Sequence, residues 1–303
     1  MRWLFAIALL GCAAHPAGVA DRPARPEPAA VAAAPAASAS ATEATIPLAG
    51  GANALLWDAA RSTLYLTDSN TSSLLTWTDA AGLQVAATIP ADAAGVSLGG
   101  IVRRSDGTLL IANFGFGAHG GLFAVADGQA TALTGLDPVR LRVGLAQDAA
   151  GAVYSAYFVG GRGKPQVGGV AKVDVAGTAG SETVIASGFH KAVGLVAAPD
   201  AVFVSDQTDK AIFKIAVPGY AVSKVASAPA VDLLAMLPNG DLLTGGGPTI
   251  SRITPAGQVT ALPGSFEQVR GLAYDSAGKR LFVIDHSVTV GVSDKLRIVR
   301  LVE

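Results

Sequence analysis

From about residue 46 to its end, the chain alternates short apolar runs with turns carrying Gly, Asp or Asn. Long stretches with the 3.6-residue period of a helix are missing. The pattern therefore predicts short strands joined by tight turns, and an all-β domain.

The runs repeat. Six segments share one order: a small residue, an apolar pair, a turn, an apolar strand and a closing polar residue. The clearest are Asn53 to Ser69 (NALLWDAARSTLYLTDS) and Arg270 to His286 (RGLAYDSAGKRLFVIDH). Four further copies start at Gly99, Val143, Val193 and Asp232. A third apolar strand follows each copy, as in Leu122 to Val125 or Ile212 to Val217, and a shorter fourth often precedes the next. Units of three to four strands at a period of about 40 to 50 residues predict propeller blades. The sixth unit ends on its third strand, Leu296 to Leu301, so Thr45 to Leu48 is expected to supply the fourth and close the ring. Pro47 is compatible with such an outer strand.

The first residues, MRWLFAIALLGC, pair a basic start with an apolar run too short to span a bilayer. Leu9-Leu10-Gly11-Cys12 resembles the lipobox of bacterial lipoprotein signals, which implies cleavage before Cys12 and acylation of its thiol. Cys12 is also the only cysteine in the chain, so no internal disulfide competes for it. Residues 13–45 are dominated by Ala, Pro and Ser and lack aromatic residues. Such a segment cannot bury enough apolar surface to offset its ordering entropy. The expected organisation is a lipoprotein signal over 1–11, a lipidated Cys12 with a disordered tether over 12–45, and a six-bladed propeller over 46–303. An exported monomer is expected, anchored to the outer membrane, with its domain in the periplasm or at the cell surface. The formal net charge of −1 gives no electrostatic basis for nucleic-acid binding.

The phrasing "GL-x-x-D…G-x-Val/Leu-aromatic-Val-x-D" resembles the senescence-marker/gluconolactonase propellers and their NHL-repeat relatives. The resemblance spans the domain but is carried by blade-forming residues, so it implies fold more than chemistry.

Blade geometry locates a site. First-strand starts and second-strand ends open on the same face, and at one channel mouth they gather Asn53, Asp68, Asn113, Tyr157, Asp206, Asp232, Arg270 and Asp285, with His190 beside them. Long loops at 114–121, 158–169 and 286–294 open there too. Asp68, Asp206 and Asp285 recur at one repeat position, which favours a role in the turns. Asp58 and Asp275 belong to turns of the opposite face. Arg142 and Arg270 are candidate clamps for an anion. His119, His190 and His286 lie near Ser69, Ser205 and Ser287, but no nucleophile-elbow motif accompanies them. No His/Cys cluster has zinc spacing.

The resemblance also implies one divalent metal, held by a Glu, an Asn before a Gly-Leu pair, and an Asp. Those positions are occupied here by Asn53, Val193 and Asp232. One charged ligand of three argues against that metal. The candidate ligands for a calcium or magnesium ion are then Asp232, Asn53 and Asp206, or a rearranged set of Asp206, Asp232 and Asp285 with no motif behind it, and otherwise no cofactor is expected. The expected function is a non-catalytic envelope propeller binding a small molecule, glycan or protein at the mouth. Its alternatives are a metal-dependent lactone or ester hydrolase of the gluconolactonase type, and a structural module docking to envelope proteins.

Overall fold

The computed structural model describes residues 38–91, 95–161 and 165–302. The signal, Cys12 and most of the expected tether lie outside these residues. Among the described residues there are 24 strands and no helix. They form six four-stranded antiparallel units in chain order, two of which join through a single parallel bridge between Thr88 and Gln129.

The innermost strands are Ala52–Asp58, Leu98–Arg103, Leu141–Gln147, Ala192–Ala198, Leu234–Met236 and Val269–Asp275. We number the blades 1 to 6 in this order. Each innermost strand touches the next, and the sixth touches the first, so the ring is closed. A single blade leaves its apolar faces uncovered, and stacking against its neighbours buries them. Between blades 6 and 1, for example, Trp57 stacks on Phe282 at 5.1 Å, and Trp77 meets the same ring edge-on. Leu64, Leu66 and Leu296 fill the space around them.

The final sheet has the order Val269–Asp275, Arg280–Asp285, Lys295–Val302, Ser38–Pro47. Ile46 pairs with Leu296 and Pro47 with Lys295, as the expected closure requires. The closing strand is longer than anticipated. It starts at Ser38, inside the stretch expected to be tether, because the partner strand offers a free edge as far as Val302. Pro47 lies on this outermost strand, where its missing N–H leaves no partner unsatisfied.

In blade 1 the strand pairing passes from Ala52–Asp68 to Leu55–Leu66, three residues opposite two. The same bulge recurs in blades 2, 3, 4 and 6. It sits where the inner strands of adjacent blades come closest. A Cβ on Gly99 would lie 2.4 Å from the carbonyl oxygen of Val143, and one on Gly144 would lie 2.2 Å from that of Val193. On Gly271 it would lie 2.6 Å from the carbonyl oxygen of Asn53. The repeated glycine is thus a packing requirement of the ring. Buried hydroxyls reinforce the contact. Thr67 Oγ1 accepts from the Ala54 amide and donates to the Gly99 carbonyl, tying blade 1 to blade 2.

At depth the channel is filled by apolar side chains. Only about 30 Å³ remains among Leu55, Ile101, Leu145, Leu195, Leu234 and Leu272. The two faces are therefore separate.

Candidate active site at the channel mouth

Bulges re-aim side chains, and in blades 1, 3, 4 and 6 they turn the strand starts toward the channel mouth. Asn53, Val143, Val193, Asp232 and Arg270 all line one pocket of about 330 Å³. Ser97, Lys191 and Gln268 join them, each two residues before the repeat position held by Gly99, Val193 or Arg270. Gln207, with Phe114 and Phe116, completes the lining. Period-2 alternation explains the set: residues two apart in an extended segment share a face.

The second-strand ends take other directions. Asp68 is fully buried and accepts hydrogen bonds from the Asn70 and Thr71 amides. Asp206 accepts from four amides, those of His190, Lys191, Thr208 and Asp209. Asp285 accepts from the Glu267 amide and pairs with Arg297. Asn113 bridges the Ser97 amide and the His119 carbonyl. Tyr157 lies under the Arg140 guanidinium at 4.2 Å. These side chains hold turns and loops, and the pocket is lined instead by the residue after the strand end, as at Phe114 and Gln207.

Arg142 does not reach the mouth either. It is fully buried and donates to Glu182 at 2.7 Å. Burial raises the Glu182 pKa, yet the hydrogen bonds from Arg142 and from the Asp137 amide, with the charges of Arg142 and Arg140, hold it below the ordinary glutamate value. His286 is engaged by Asp294 at 2.8 Å. Asp58 and Asp275 occupy the opposite-face turns, paired with Arg61 and Arg280. A larger basin of about 920 Å³ lies on that face, but its charged groups pair with one another, Arg103 with Asp58 and Arg104 with Asp106.

Asp232 is the titratable centre of the mouth. Its backbone is pinned on both sides. The amide donates to Thr244 Oγ1 at 3.0 Å, and the carbonyl accepts from Ser205 Oγ at 2.6 Å. Only 8% of the residue is exposed. Burial pushes the carboxyl up to about 6, against the opposing charges of Arg270 and Lys191 and hydrogen bonds from the Leu233 amide and the Gln207 side chain. Sequence reading found Asp232, Arg270 and Asn53. It did not include Lys191, Gln207 and Gln268: the two-residue alternation upstream of Val193 and Arg270 could have supplied Lys191 and Gln268, and the position after the second-strand end could have supplied Gln207.

The metal implied by the resemblance can be tested on these residues. Val193 offers no donor atom. Asn53 donates its amide nitrogen to the Leu98 carbonyl at 3.0 Å and could offer a cation only a neutral oxygen. Asp206 lies in its own turn, away from Asp232. Two cationic side chains face the one remaining carboxylate. Hard dications need several oxygen ligands and favour charged ones, so the mouth residues do not fit a divalent cation. Elsewhere, His190, Asp206 and Asp209 bring ligand atoms within 4.8 Å of one another, close enough to share a cation.

No known protein family matches the sequence, and no curated protein does. Solved structures do match. A gluconolactonase from Xanthomonas campestris aligns over 82% of this chain and 86% of its own, with 18% identity and a TM-score of 0.66. The chain has the gluconolactonase-type propeller fold. A calcium-binding regucalcin from Agrobacterium tumefaciens covers 84% of this chain and 92% of its own, at 16% identity and a TM-score of 0.65. A luciferin-regenerating enzyme covers 85% and 95%, at 12% identity and a TM-score of 0.67. These neighbours correct the expectation of a non-catalytic binding propeller. Two of the chains sharing the fold are named for enzyme activities.

Proposed function

We propose that the chain is a hydrolase that opens a lactone or ester at the channel mouth, with Asp232, Lys191 and Arg270 as its working groups. The observation carrying this reading is a buried carboxyl in a pocket whose other charged side chains are both cations.

The chemistry divides among these residues. A carboxylate that titrates near neutrality is suited to take a proton from water. Water activated by Asp232 adds to the carbonyl carbon, and the oxyanion that develops is held by Lys191 and Arg270. As the carbon–oxygen bond of the leaving alcohol breaks, Asp232 returns the proton to that oxygen, giving an acid and an alcohol. Gln207 orients the carboxyl of Asp232. The two cations take the charge-stabilising role for which the related fold implies a metal, so no divalent cation is placed at Asp232.

The test is hydrolysis of a panel of lactones and aryl esters by the purified chain, with and without chelator. Turnover that survives chelation and falls about a hundredfold or more in Asp232→Asn supports the reading. No turnover of any member, or equal turnover by a folded Asp232→Asn, refutes it.

The lipid anchor is also proposed, on Leu9 to Cys12. Acyl labelling and membrane association should both be lost in Cys12→Ser. Labelling that persists in the variant would remove the proposal.

A further inference from the structure

The mouth pocket does not stop at its charged groups. Phe114, Phe116 and Lys191 line it and also line an adjoining crevice of about 680 Å³, twice its size. Val139, Leu141 and Phe158 form much of the rest of that crevice. The three phenylalanines make one continuous wall. Phe114 lies 4.6 Å from Phe116 and 5.5 Å from Phe158, centroid to centroid. The Lys191 ammonium sits 5.5 Å from the centre of the Phe158 ring, at the border between the two compartments.

Two of these apolar residues are open to solvent. Phe116 is 65% exposed and Val139 is 51% exposed, and Phe116 is the one phenylalanine among the exposed large apolar residues of the described chain. Solvent-exposed apolar surface next to a polar, desolvated centre suits an amphipathic ligand. A polyhydroxylated sugar lactone would find few hydrogen-bonding partners along this wall. Burying its hydroxyls there would be costly.

We propose that the substrate is a lactone or ester carrying an alkyl or aryl substituent, with that substituent in the Phe114–Phe116–Phe158 crevice and its carbonyl at Lys191 and Arg270. This deepens the hydrolase reading and rests on it for the reaction. The crevice selects the substituent by apolar burial, while the cations fix which end enters the mouth.

Two measurements on the full chain separate this proposal from the hydrolase reading. Calorimetry compares binding of 4-hydroxydecanoate, an amphipathic ring-opened product, with binding of gluconate. Hydrolysis compares γ-decalactone with glucono-δ-lactone. The decanoate is expected to bind and the gluconate not to. Removing the aromatic ring in Phe116→Ser should weaken decanoate binding about tenfold. Phe116 is largely exposed, so the variant should keep its fold, and Val139→Asp provides a second probe of the same wall. Gluconate binding as tight as the decanoate's, or decanoate affinity unchanged in both variants, overturns the proposal. Binding with this dependence but no turnover of either lactone supports the crevice's specificity and removes the hydrolase reading. Equal turnover of both lactones leaves the hydrolase reading standing and overturns this proposal.

Discussion

Gly194 faces the backbone of Asp232 so closely that a Cβ on the glycine would lie 2.5 Å from the Asp232 carbonyl oxygen. The same Cβ would lie 2.8 Å from Ser205 Oγ, which accepts from the Gly194 amide and donates to that carbonyl. The contact that joins blade 4 to blade 5 is therefore also the one that seats the central carboxyl of the mouth.

Gly194→Ala should destabilise the chain by roughly 1–3 kcal/mol, because backbone on the neighbouring strand has to move. Hydrolysis should fall with it, since Asp232 moves too. Gly121→Ala is the matched control, since a Cβ there meets nothing within 4 Å. Urea unfolding of both variants checks this, and equal midpoints would contradict the close-approach account.

Ser205→Ala should cost about 1–3 kcal/mol, as it leaves the buried Gly194 amide without its partner and the Asp232 carbonyl with only the long contact from Thr244 Oγ1. The loss should not add to that of Gly194→Ala, because both changes break one junction. A double-mutant cycle by denaturant unfolding measures the coupling.

Asp232 makes stability depend on pH with a defined sign. Its folded-state pKa is raised to about 6, so the folded chain holds the proton more tightly than the unfolded chain does. That advantage is complete below the ordinary aspartate value and is lost as pH rises from about 4 toward 6. Asp232→Asn mimics the protonated form. It should match the parent near pH 4 and exceed it at pH 7.5 by up to roughly 3 kcal/mol, at 1.4 kcal/mol per pKa unit. Unfolding at both pH values tests this, and a variant less stable than the parent at pH 7.5 would sink it.

The same titration should shape activity. With Asp232 acting as the base, kcat/KM should rise with pH through about 6 and then level off. Lys191→Met should lower kcat by about tenfold to a hundredfold, through loss of oxyanion stabilisation, and leave the fold unchanged. A pH–rate profile that is flat between pH 5 and 8 would exclude Asp232 from the base role.

The closing strand should matter to stability well beyond its composition. A chain beginning at Ala49 lacks Ser38–Pro47 and leaves the Lys295–Val302 edge unpaired. It also lacks Leu48, which is buried. Compared with a chain beginning at Ser38, its Tm should drop by roughly 10 °C, with a rise in self-association through the exposed edge. Thermal melts with light scattering report both.

The period-2 runs, the recurring turns and the repeat interval were enough to read an all-β propeller closed by residues near 45, because strand alternation and blade spacing are local properties of the chain. The glycines before Leu145, Leu195 and Leu272 were legible as a motif, but their reason was not. Only the ring brings Gly144 against Val193, or Gly271 against Asn53, two or more hundred residues apart in the second case. The site divided along the same line. Repeat position alone located Asn53, Asp232 and Arg270 at the mouth. It also gathered Asp68, Asp206 and Asp285 there, and the tertiary structure turned those carboxylates into their own turns, where backbone amides compete for them at short range. What set Asp232 apart was its burial beside Lys191 and Arg270. That environment comes from three different segments of the chain, so no local pattern could have announced it.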